Sequence, residues 1–294
     1  MAADRIRAGL IAFCAGDALG VPWEGRRPGE VDAAASLAQA PARDGWPRGA
    51  TSDDSDQTLL VAREIVRAHG DPDPERFLDA LADALPSMRG AGRTTRAGVE
   101  RWRSARTSTA PEGDGATNGA AMRALPIGWS TAPAAADERR AMTETLTRTT
   151  HGDGRALAAA LAIAAMASYA VAGAPLFSIM AAGIEEAGAY GRGELTDAAI
   201  GVWTPPEAGV PFESLPTVAA VIAALREGDG SPGPVMRAAV AFGGDTDTVA
   251  ALAGGIAASR IGGLDGVDWL DDVLLPAGEA DLAALADGLS ALRA

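Results

Sequence analysis

Gly243-Gly244-Asp245-Thr246-Asp247-Thr248 stands directly before an Ala-, Leu- and Val-rich run with helical spacing of its apolar residues. Far upstream, Thr51-Ser52-Asp53-Asp54-Ser55 leads into a second run of the same kind. Each segment gathers two carboxylates and at least one hydroxyl at a helix start. A cation of two or more charges, drawing both segments together, explains this best, because oxygen ligands are those that Mg²⁺, Mn²⁺ and Ca²⁺ prefer.

If the two acidic segments meet, the two ends of the chain pack together, which argues for one domain over residues 1–294. Apolar spacing of three and four recurs throughout, and the alternation typical of strands is nearly absent. The sequence therefore predicts an all-α fold, a compact single-domain orthogonal bundle of a dozen or more helices. The predicted helices are 3–19, 54–69, 74–86, 93–105, 117–126, 136–149, 154–173, 175–188, 194–202, 214–227, 233–241, 246–261, 266–274 and 278–292.

Three irregular stretches separate these helices, at 20–50, 106–116 and 203–213. Loops longer than about 15 residues in a compact domain are often functional. The first stretch joins Gly16-Asp17 to the upstream acidic segment, so we expect it to line or cover the site.

Composition excludes several classes of protein. The net charge is −14, from 25 basic and 39 acidic residues, and no basic block offers the stripe that a nucleic-acid binder needs. The densest basic stretch, Arg89 to Arg106, is either a solvated helix face or a surface facing an anionic substrate. The single Cys14 excludes an intramolecular disulfide and favours a reducing compartment, so a cytoplasmic location is expected. One cysteine and two histidines exclude the usual zinc sites.

The uncharged run from Ala156 to Phe177 is long enough to span a bilayer. It is mostly alanine and is interrupted by Ser168 and Pro175, so a buried central helix is predicted instead. Only about seven apolar residues precede Asp17 near the N-terminus, and no signal peptide is predicted.

The segment Gly16-Asp17-Ala18-Leu19-Gly20, followed by Glu24, places acids at a helix C-terminus, where the helix dipole disfavours them. A nearby cation would explain the placement, and a tight turn with a surface acid is the alternative. For the upstream acidic segment, the alternative to metal binding is a plain helix cap made by Ser52, Asp53 or Asp54.

Thr117-Asn118-Gly119-Ala120-Ala121-Met122-Arg123 follows a Gly-rich stretch at a predicted helix start. Free amides on small residues at such a start suit a phosphate, and a cap made by Asn118 is the alternative. His151, one of only two histidines, is either a site residue or a capping or packing residue.

Taken together and in order, five segments resemble the ADP-ribosylhydrolase family over nearly the whole chain. They are Gly16 to Gly20 with Glu24, Ser52 to Ser55, Asn118 to Arg123, Thr150-His151 and Gly243 to Thr248. The resemblance implies an all-α domain that binds two divalent cations, Mg²⁺ or Mn²⁺. It also implies cleavage of the glycosidic bond at the distal ribose of ADP-ribosylated protein or small ADP-ribose conjugates. No nucleic-acid or membrane partner is expected, and the protein is expected to be a monomer.

The resemblance further implies roles for individual residues. Glu24, with Asp53 and Asp54, would be catalytic, Glu24 by positioning water or shuttling a proton. Asp17 would brace the metal ligands. The implied metal ligands are Ser52, Asp53, Asp54, Asp245, Asp247 and Thr248. The implied substrate-binding residues are Asn118, Gly119, Ala120 and Ala121, which match the pyrophosphate loop, together with His151 and Gly92.

Two positions depart from the family pattern. The usual Thr-Asp-Asp-Thr reads Ser52 to Ser55 here, which keeps both hydroxyls and should keep the metals. Gly90 stands where arginine-specific members tend to carry an aspartate, which removes a partner for a guanidinium. Arginine, serine, O-acetyl and smaller riboside leaving groups stay open.

Two other functions compete. An isoprenoid synthase is also all-α and holds Mg²⁺ with aspartates, but its Asp-Asp-x-x-Asp spacing needs an acid at the position of Gln57. A non-catalytic relative, binding ADP-ribose without cleavage or serving a structural, crystallin-like role, would be signalled by lost metal ligands. All six implied ligand positions keep an oxygen.

Overall fold

The computed structural model describes residues 1–293, and α-helices form most of this part of the chain. They are Ala2–Gly20 (α1), Asp53–Arg67 (α2), Pro74–Ala84 (α3), Arg93–Ala105 (α4), Leu125–Ser130 (α5), Ala136–Arg148 (α6), Gly154–Val171 (α7), Leu176–Ile200 (α8), Ser214–Glu227 (α9), Pro232–Ala241 (α10), Thr246–Ile261 (α11) and Glu279–Ala291 (α12). Strand pairing among the described residues is limited to isolated bridges. The predicted all-α fold is confirmed.

Glycines allow the first helix and the eleventh to pack along each other in the most extensive helix pair of the fold. A Cβ atom at Gly16 would overlap the carbonyl group of Ala250, and one at Gly20 would overlap the backbone of Asp247. Glycine within a helix costs about 1 kcal/mol relative to alanine, and the close approach of two backbones explains why it is present. The C-terminal end of α1 is thereby held against the start of α11.

The alanine-rich helix α7 lies at the centre of the molecule, between α5, α6, α8, α9 and α11. By length and composition, α7 and the segment Ala2–Trp23 could each cross a membrane, but 72% and 83% of these windows are buried inside the protein. The buried central helix predicted for 156–177 is confirmed as far as Val171. The uncharged run then continues into α8, where Phe177 is exposed.

Two predicted helices are wrong. In the predicted helix 266–274, only Leu270–Asp272 forms a helical turn, of the 3₁₀ type. Trp269 is buried there, and its indole N–H donates to the carbonyl of Ala15 at 2.9 Å. That tertiary anchor fixes this segment as an irregular connection.

The predicted helix 117–126 is a 3₁₀ turn at Asn118–Ala120 followed by α5 from Leu125. The predicted helices 175–188 and 194–202 are one element, α8, which is interrupted at Gly188 by a backbone φ of +56°. The remaining predicted helices lie within a few residues of the observed ones.

Replacing Gly16 with alanine should destabilise the fold by about 3 kcal/mol, the upper range for overpacking, because the new methyl group meets backbone that cannot move aside. Gly193→Ala is the matched control, since Gly193 lies in exposed helix with open space around its Cβ position. That change should be neutral or slightly stabilising. Chemical denaturation of both variants measures the difference, and equal stabilities would contradict the close crossing.

Candidate functional site

A cavity of about 320 Å³ lies where the two acidic segments meet. Its floor carries carboxylates from the starts of α2 and α11, and its walls come from the loops before α4 and around Asn118. The lining residues are Glu24, Ser52, Asp53, Asp54, Gly90, Gly92, Arg93, Thr94, Thr95, Thr117, Asn118, Gly119, Met122, Phe212, Asp245, Asp247 and Thr248.

The carboxylates of the two segments are buried and lie within each other's electric field. Burial raises the pKa of Asp54 well above its ordinary value, and the charges of Asp17, Asp53 and Asp245 raise it further. Burial likewise raises the pKa of Asp247 well above the ordinary range, reinforced first by Glu24 and then by Asp245 and Asp54. Such crowding of like charges stores repulsion that a cation would relieve.

Ordinary capping accounts for only part of these side chains. Ser52 caps α2, because its hydroxyl accepts a hydrogen bond from the amide of Asp54 at 3.1 Å. Asp245 stands at the N-cap position of α11, yet its side chain makes no capping hydrogen bond. Asp54 Oδ2 is fully buried and has no hydrogen-bond partner. Native proteins rarely leave a buried carboxylate oxygen unpaired, and an oxygen of this kind is suited to bind a cation.

Asp17 occupies the position behind this cluster. Its carboxylate accepts hydrogen bonds from the amides of Ser52 and Ser55 at 3.0–3.2 Å and from the Ser55 hydroxyl at 2.5 Å. Burial raises the pKa of Asp17 to about 6, and these hydrogen bonds oppose that rise. Asp17 is absent from the cavity lining. Its contacts are those of a residue that fixes the start of α2.

Two loops hold the downstream acidic segment from either side. The amide of Gly244 donates to the carbonyl of Arg26 at 2.7 Å, and the amide of Asp245 donates to the carbonyl of Val210 at 2.8 Å. Gly243 and Gly244 both have positive φ, +65° and +72°, and a Cβ at either would collide with these neighbouring backbones. The glycine pair is therefore required by the local geometry.

The Asn118 side chain turns toward the acidic cluster. Its amide donates to Asp245 and, at 2.9 Å, to the hydroxyl of Thr217. The alternative of an Asn118 helix cap is wrong, because the N-cap position of the turn belongs to Thr117 and no α-helix starts there. Asn118 lines the cavity and orients one of its carboxylates.

The other residues of the predicted substrate-binding set divide between the cavity and the protein interior. Gly92 and Gly119 line the cavity. Ala120, Ala121 and His151 are buried and absent from its lining. The His151 ring lies behind Gly119, where an added Cβ would come within 3.0 Å of the ring. These three residues therefore lie behind the cavity surface, and their role in substrate binding stays a prediction.

Glu24 lies at the cavity edge, as expected for a residue near the acidic cluster, but it is already paired. Its carboxylate forms an ion pair with Arg43, whose guanidinium also lies over the ring of Trp46 at 4.1 Å. Both partners come from the long irregular stretch 20–50. That loop therefore lines the site, as the sequence predicts.

Gly90 lies directly beside Asp53 in the lining of the cavity. It has a φ of +88°, and a Cβ there would lie 3.1 Å from Asp53 Oδ1 and 3.5 Å from the Trp46 ring. Aspartate at this position would be strained by its backbone and repelled by Asp53. The departure from the family pattern at Gly90 thus fits its surroundings in this chain.

From the sequence, the arginine-rich stretch Arg89 to Arg106 is either a solvated helix face or a surface facing an anionic substrate, and its residues differ in what they contact. Arg96, Arg101 and Arg103 donate to backbone carbonyl groups of the protein. Arg93, exposed at the start of α4, lines the cavity. One guanidinium of this stretch is thus placed to meet an anionic group.

Several lining or supporting residues escaped the sequence analysis. Thr94, Thr95 and Phe212 line the cavity, and Gln57 and Arg123 support it from within the core. Arg123 stood in a noted segment, and its position amid small apolar residues was the available signal. Thr94 and Thr95 gave no signal in the sequence, because a hydroxyl residue at a helix start is common.

The ADP-ribosylglycohydrolase family matches residues 1–294. ADP-ribosyl-[dinitrogen reductase] glycohydrolase of Rhodospirillum rubrum is 33% identical over 133 residues, covering 44% of this chain and 45% of that relative, less than half of its length. A solved structure, an ADP-ribosylglycohydrolase-related protein complex, superposes with a TM-score of 0.83 at 27% identity, covering 100% of this chain and 99% of the other. The chain belongs to the ADP-ribosylglycohydrolase family.

Proposed function

We propose that this protein hydrolyses the glycosidic bond at the distal ribose of ADP-ribosylated protein or of small ADP-ribose conjugates, and so releases ADP-ribose. The observation that carries the proposal is the buried meeting of two aspartate pairs, with Asp54 Oδ2 unpaired, in a cavity of family-matched residues. The curated relative is named for the same class of reaction.

The cavity suits divalent cations. Its acids are buried, and no ion pair among residues 1–293 reaches Asp53, Asp54, Asp245 or Asp247. No group of three or more His, Cys, Asp and Glu side chains in the described chain is already spaced to hold an ion. Ser52 and Thr248 line the same cavity and would add hydroxyl oxygens to the carboxylates. The residues that would hold the cations are Ser52, Asp53, Asp54, Asp245, Asp247 and Thr248.

When bound, the cations would supply Lewis acidity and lower the pKa of a water molecule. The chain's own residues would orient the water and accept its proton. Water adds to the anomeric carbon while the bond to the leaving group breaks. The water gives up one proton to a base, and the leaving group takes up one proton from that group or from solvent. Glu24 is the carboxylate at the cavity edge that would orient this water and accept its proton. Arg43 holds Glu24 in place, and Asn118 holds Asp245.

The leaving-group side of the cavity favours an uncharged group. Glu24 is the lining carboxylate outside the two aspartate pairs, and Arg43 already neutralises it. Gly90 adds no acid, and Arg93 contributes positive charge. A guanidinium would therefore find little compensation, whereas a serine-type or O-acetyl oxygen needs none.

The proposal is tested by release of free ADP-ribose from a serine-linked conjugate in the presence of Mg²⁺ or Mn²⁺. Asp245→Asn combined with Asp247→Asn should lower kcat by well over 100-fold. Loss of an outer-shell partner lowers activity roughly 10- to 100-fold, and the loss of two metal ligands should lower it more. Excess chelator should have the same effect. Asp287→Asn, at an exposed position on α12, is the matched control and should retain wild-type activity.

Full activity in chelator or in the double variant would rule out the cation-dependent reaction. Tight binding of ADP-ribose without turnover of any conjugate would favour the non-catalytic alternative.

Leaving-group preference should follow the charge of the cavity wall. In a panel of serine-linked, arginine-linked and O-acetyl conjugates, we expect kcat/KM to be lowest for the arginine-linked substrate, by about tenfold or more, the size of one unmade ionic contact. Arg43→Met should narrow that gap, since it frees Glu24. Preference for the arginine conjugate by the wild-type protein would contradict this assignment.

Metal-free protein should lose stability as the pH rises. The pKa values of Asp17, Asp53 and Asp245 are raised by burial from 3.8 to about 6, 7 and 6. The folded state therefore binds more protons than the unfolded state, and its stability falls between about pH 4 and pH 7. Mg²⁺ or Mn²⁺ should raise the melting temperature most at the upper end of this range. A melting temperature that does not change with pH, chelator or cation would contradict a shared cation site.

A further inference from the structure

Arg123 is fully buried beneath the cavity and makes two short hydrogen bonds, besides two longer ones to the Leu146 carbonyl at 3.4 Å and to Thr149 Oγ1 at 3.5 Å. One guanidinium nitrogen donates to Gln57 Oε1 at 2.7 Å, and the other donates to Thr150 Oγ1 at 2.7 Å. Its face lies over the Phe77 ring, 5.0 Å from the centroid. A guanidinium has no acceptor atom, so these hydrogen bonds must point away from Arg123.

The hydrogen bond from Arg123 to Gln57 leads to the acidic cluster. Because Gln57 accepts through its carbonyl oxygen, its amide N–H₂ faces Asp53 and donates to Oδ2 at 2.6 Å. Arg123 therefore sets the orientation of an amide whose two ends would otherwise be interchangeable.

The hydrogen bond from Arg123 to Thr150 leads on to the buried His151. Thr150 Oγ1 accepts from Arg123, and within residues 1–293 its own proton has one hydrogen-bond partner, His151 Nδ1, at 2.7 Å. A proton on Nδ1 would leave the Thr150 hydroxyl between two donors with no acceptor. His151 is therefore the Nε2–H tautomer. Burial and the neighbouring Arg123 charge lower its pKa to about 3, which keeps the ring neutral.

The hydrogen bonds keep the same donor-to-acceptor direction from His151 to the cavity wall. Nε2–H of His151 donates to Thr117 Oγ1 at 3.1 Å, and Thr117 lies 3.1 Å from the hydroxyl of Thr94. These two hydroxyls share one hydrogen bond but have two protons. Whichever donates to the other, one proton remains, on a side chain that lines the cavity. With the opposite tautomer, Thr117 would donate to His151 and Thr94 to Thr117, and no proton would remain.

We propose that Arg123 is a positioning residue, which acts through Thr150 and His151 to turn the Thr94–Thr117 wall into a hydrogen-bond donor for an acceptor oxygen of the substrate. The substrate class rests on the proposed function, whereas the direction of the hydrogen bonds rests on the geometry alone. An oxygen of the ADP-ribose diphosphate is the acceptor that fits, because Arg93 borders the same wall.

The tautomer can be read directly by long-range ¹H–¹⁵N correlation of the imidazole. The chain has two histidines, and His69→Asn removes the other signal. His69 is exposed with a φ of +52°, a conformation that asparagine tolerates. In this background His151 should be the pure Nε2–H tautomer. A wild-type Nδ1–H tautomer would overturn the proposal without any further variant.

Thr150→Val keeps the side-chain shape but removes the hydroxyl, and Thr150→Ser keeps the hydroxyl. We expect a mixture of tautomers in Thr150→Val and the pure Nε2–H form in Thr150→Ser. Arg123→Lys keeps the positive charge but loses one of the two directed bonds, and should also give a mixture. A pure Nε2–H form in both Thr150→Val and Arg123→Lys would overturn the role of Arg123.

Calorimetric binding of ADP-ribose supplies the second readout. Thr150→Val should bind about tenfold more weakly than wild type, the size of one hydrogen bond to a charged group, and Thr150→Ser should restore the affinity. Equal affinities in wild type and Thr150→Val would overturn the inference and leave the proposed function standing. If wild type does not bind ADP-ribose at all, the proposed function fails, and the tautomer alone decides the hydrogen-bond direction.

Discussion

The close packing of α1 along α11 is the constraint on which the site depends. Gly16 and Gly20 let the two backbones approach until no side chain fits between them. Asp17, located between these glycines, is thereby placed under the start of α2, where it binds the amides of Ser52 and Ser55. A single crossing of two helices thus fixes three chain segments that are remote in sequence.

The charge arrangement follows from this packing. Asp17 accepts hydrogen bonds from helix-start amides and so has partners for its charge. Among the described residues, Asp54 Oδ2 has no hydrogen-bond partner, and Asp247 accepts a single amide hydrogen bond, from Thr248 at 3.1 Å. Each of these two carboxylates lies in the field of several others. The fold therefore gathers, around one cavity, buried carboxylates that lack a cationic partner within residues 1–293. This pattern differs from that of a structural polar network, in which each buried group is satisfied.

The sequence predicted the helices well because their apolar spacing and their Gly and Pro boundaries are local signals. It failed where a distant contact decides the backbone: Trp269 binds the Ala15 carbonyl, and Asn118 binds Asp245 and Thr217. The acidic segments were recognisable because their carboxylates exceed what a helix cap needs. The position of His151 was not, because its neighbours Thr117 and Arg123 reach it only through the tertiary fold.

Arg123 also explains why the buried face of the cavity is polar. Its guanidinium loses hydration, and burial lowers its pKa to about 10, but hydrogen bonds to Gln57 and Thr150 and the ring of Phe77 compensate. A hydrophobic residue of similar size would pack there at less cost. It would leave the Gln57 amide and the His151 tautomer without a fixed direction. The position is therefore better explained by the orientation of cavity groups than by stability.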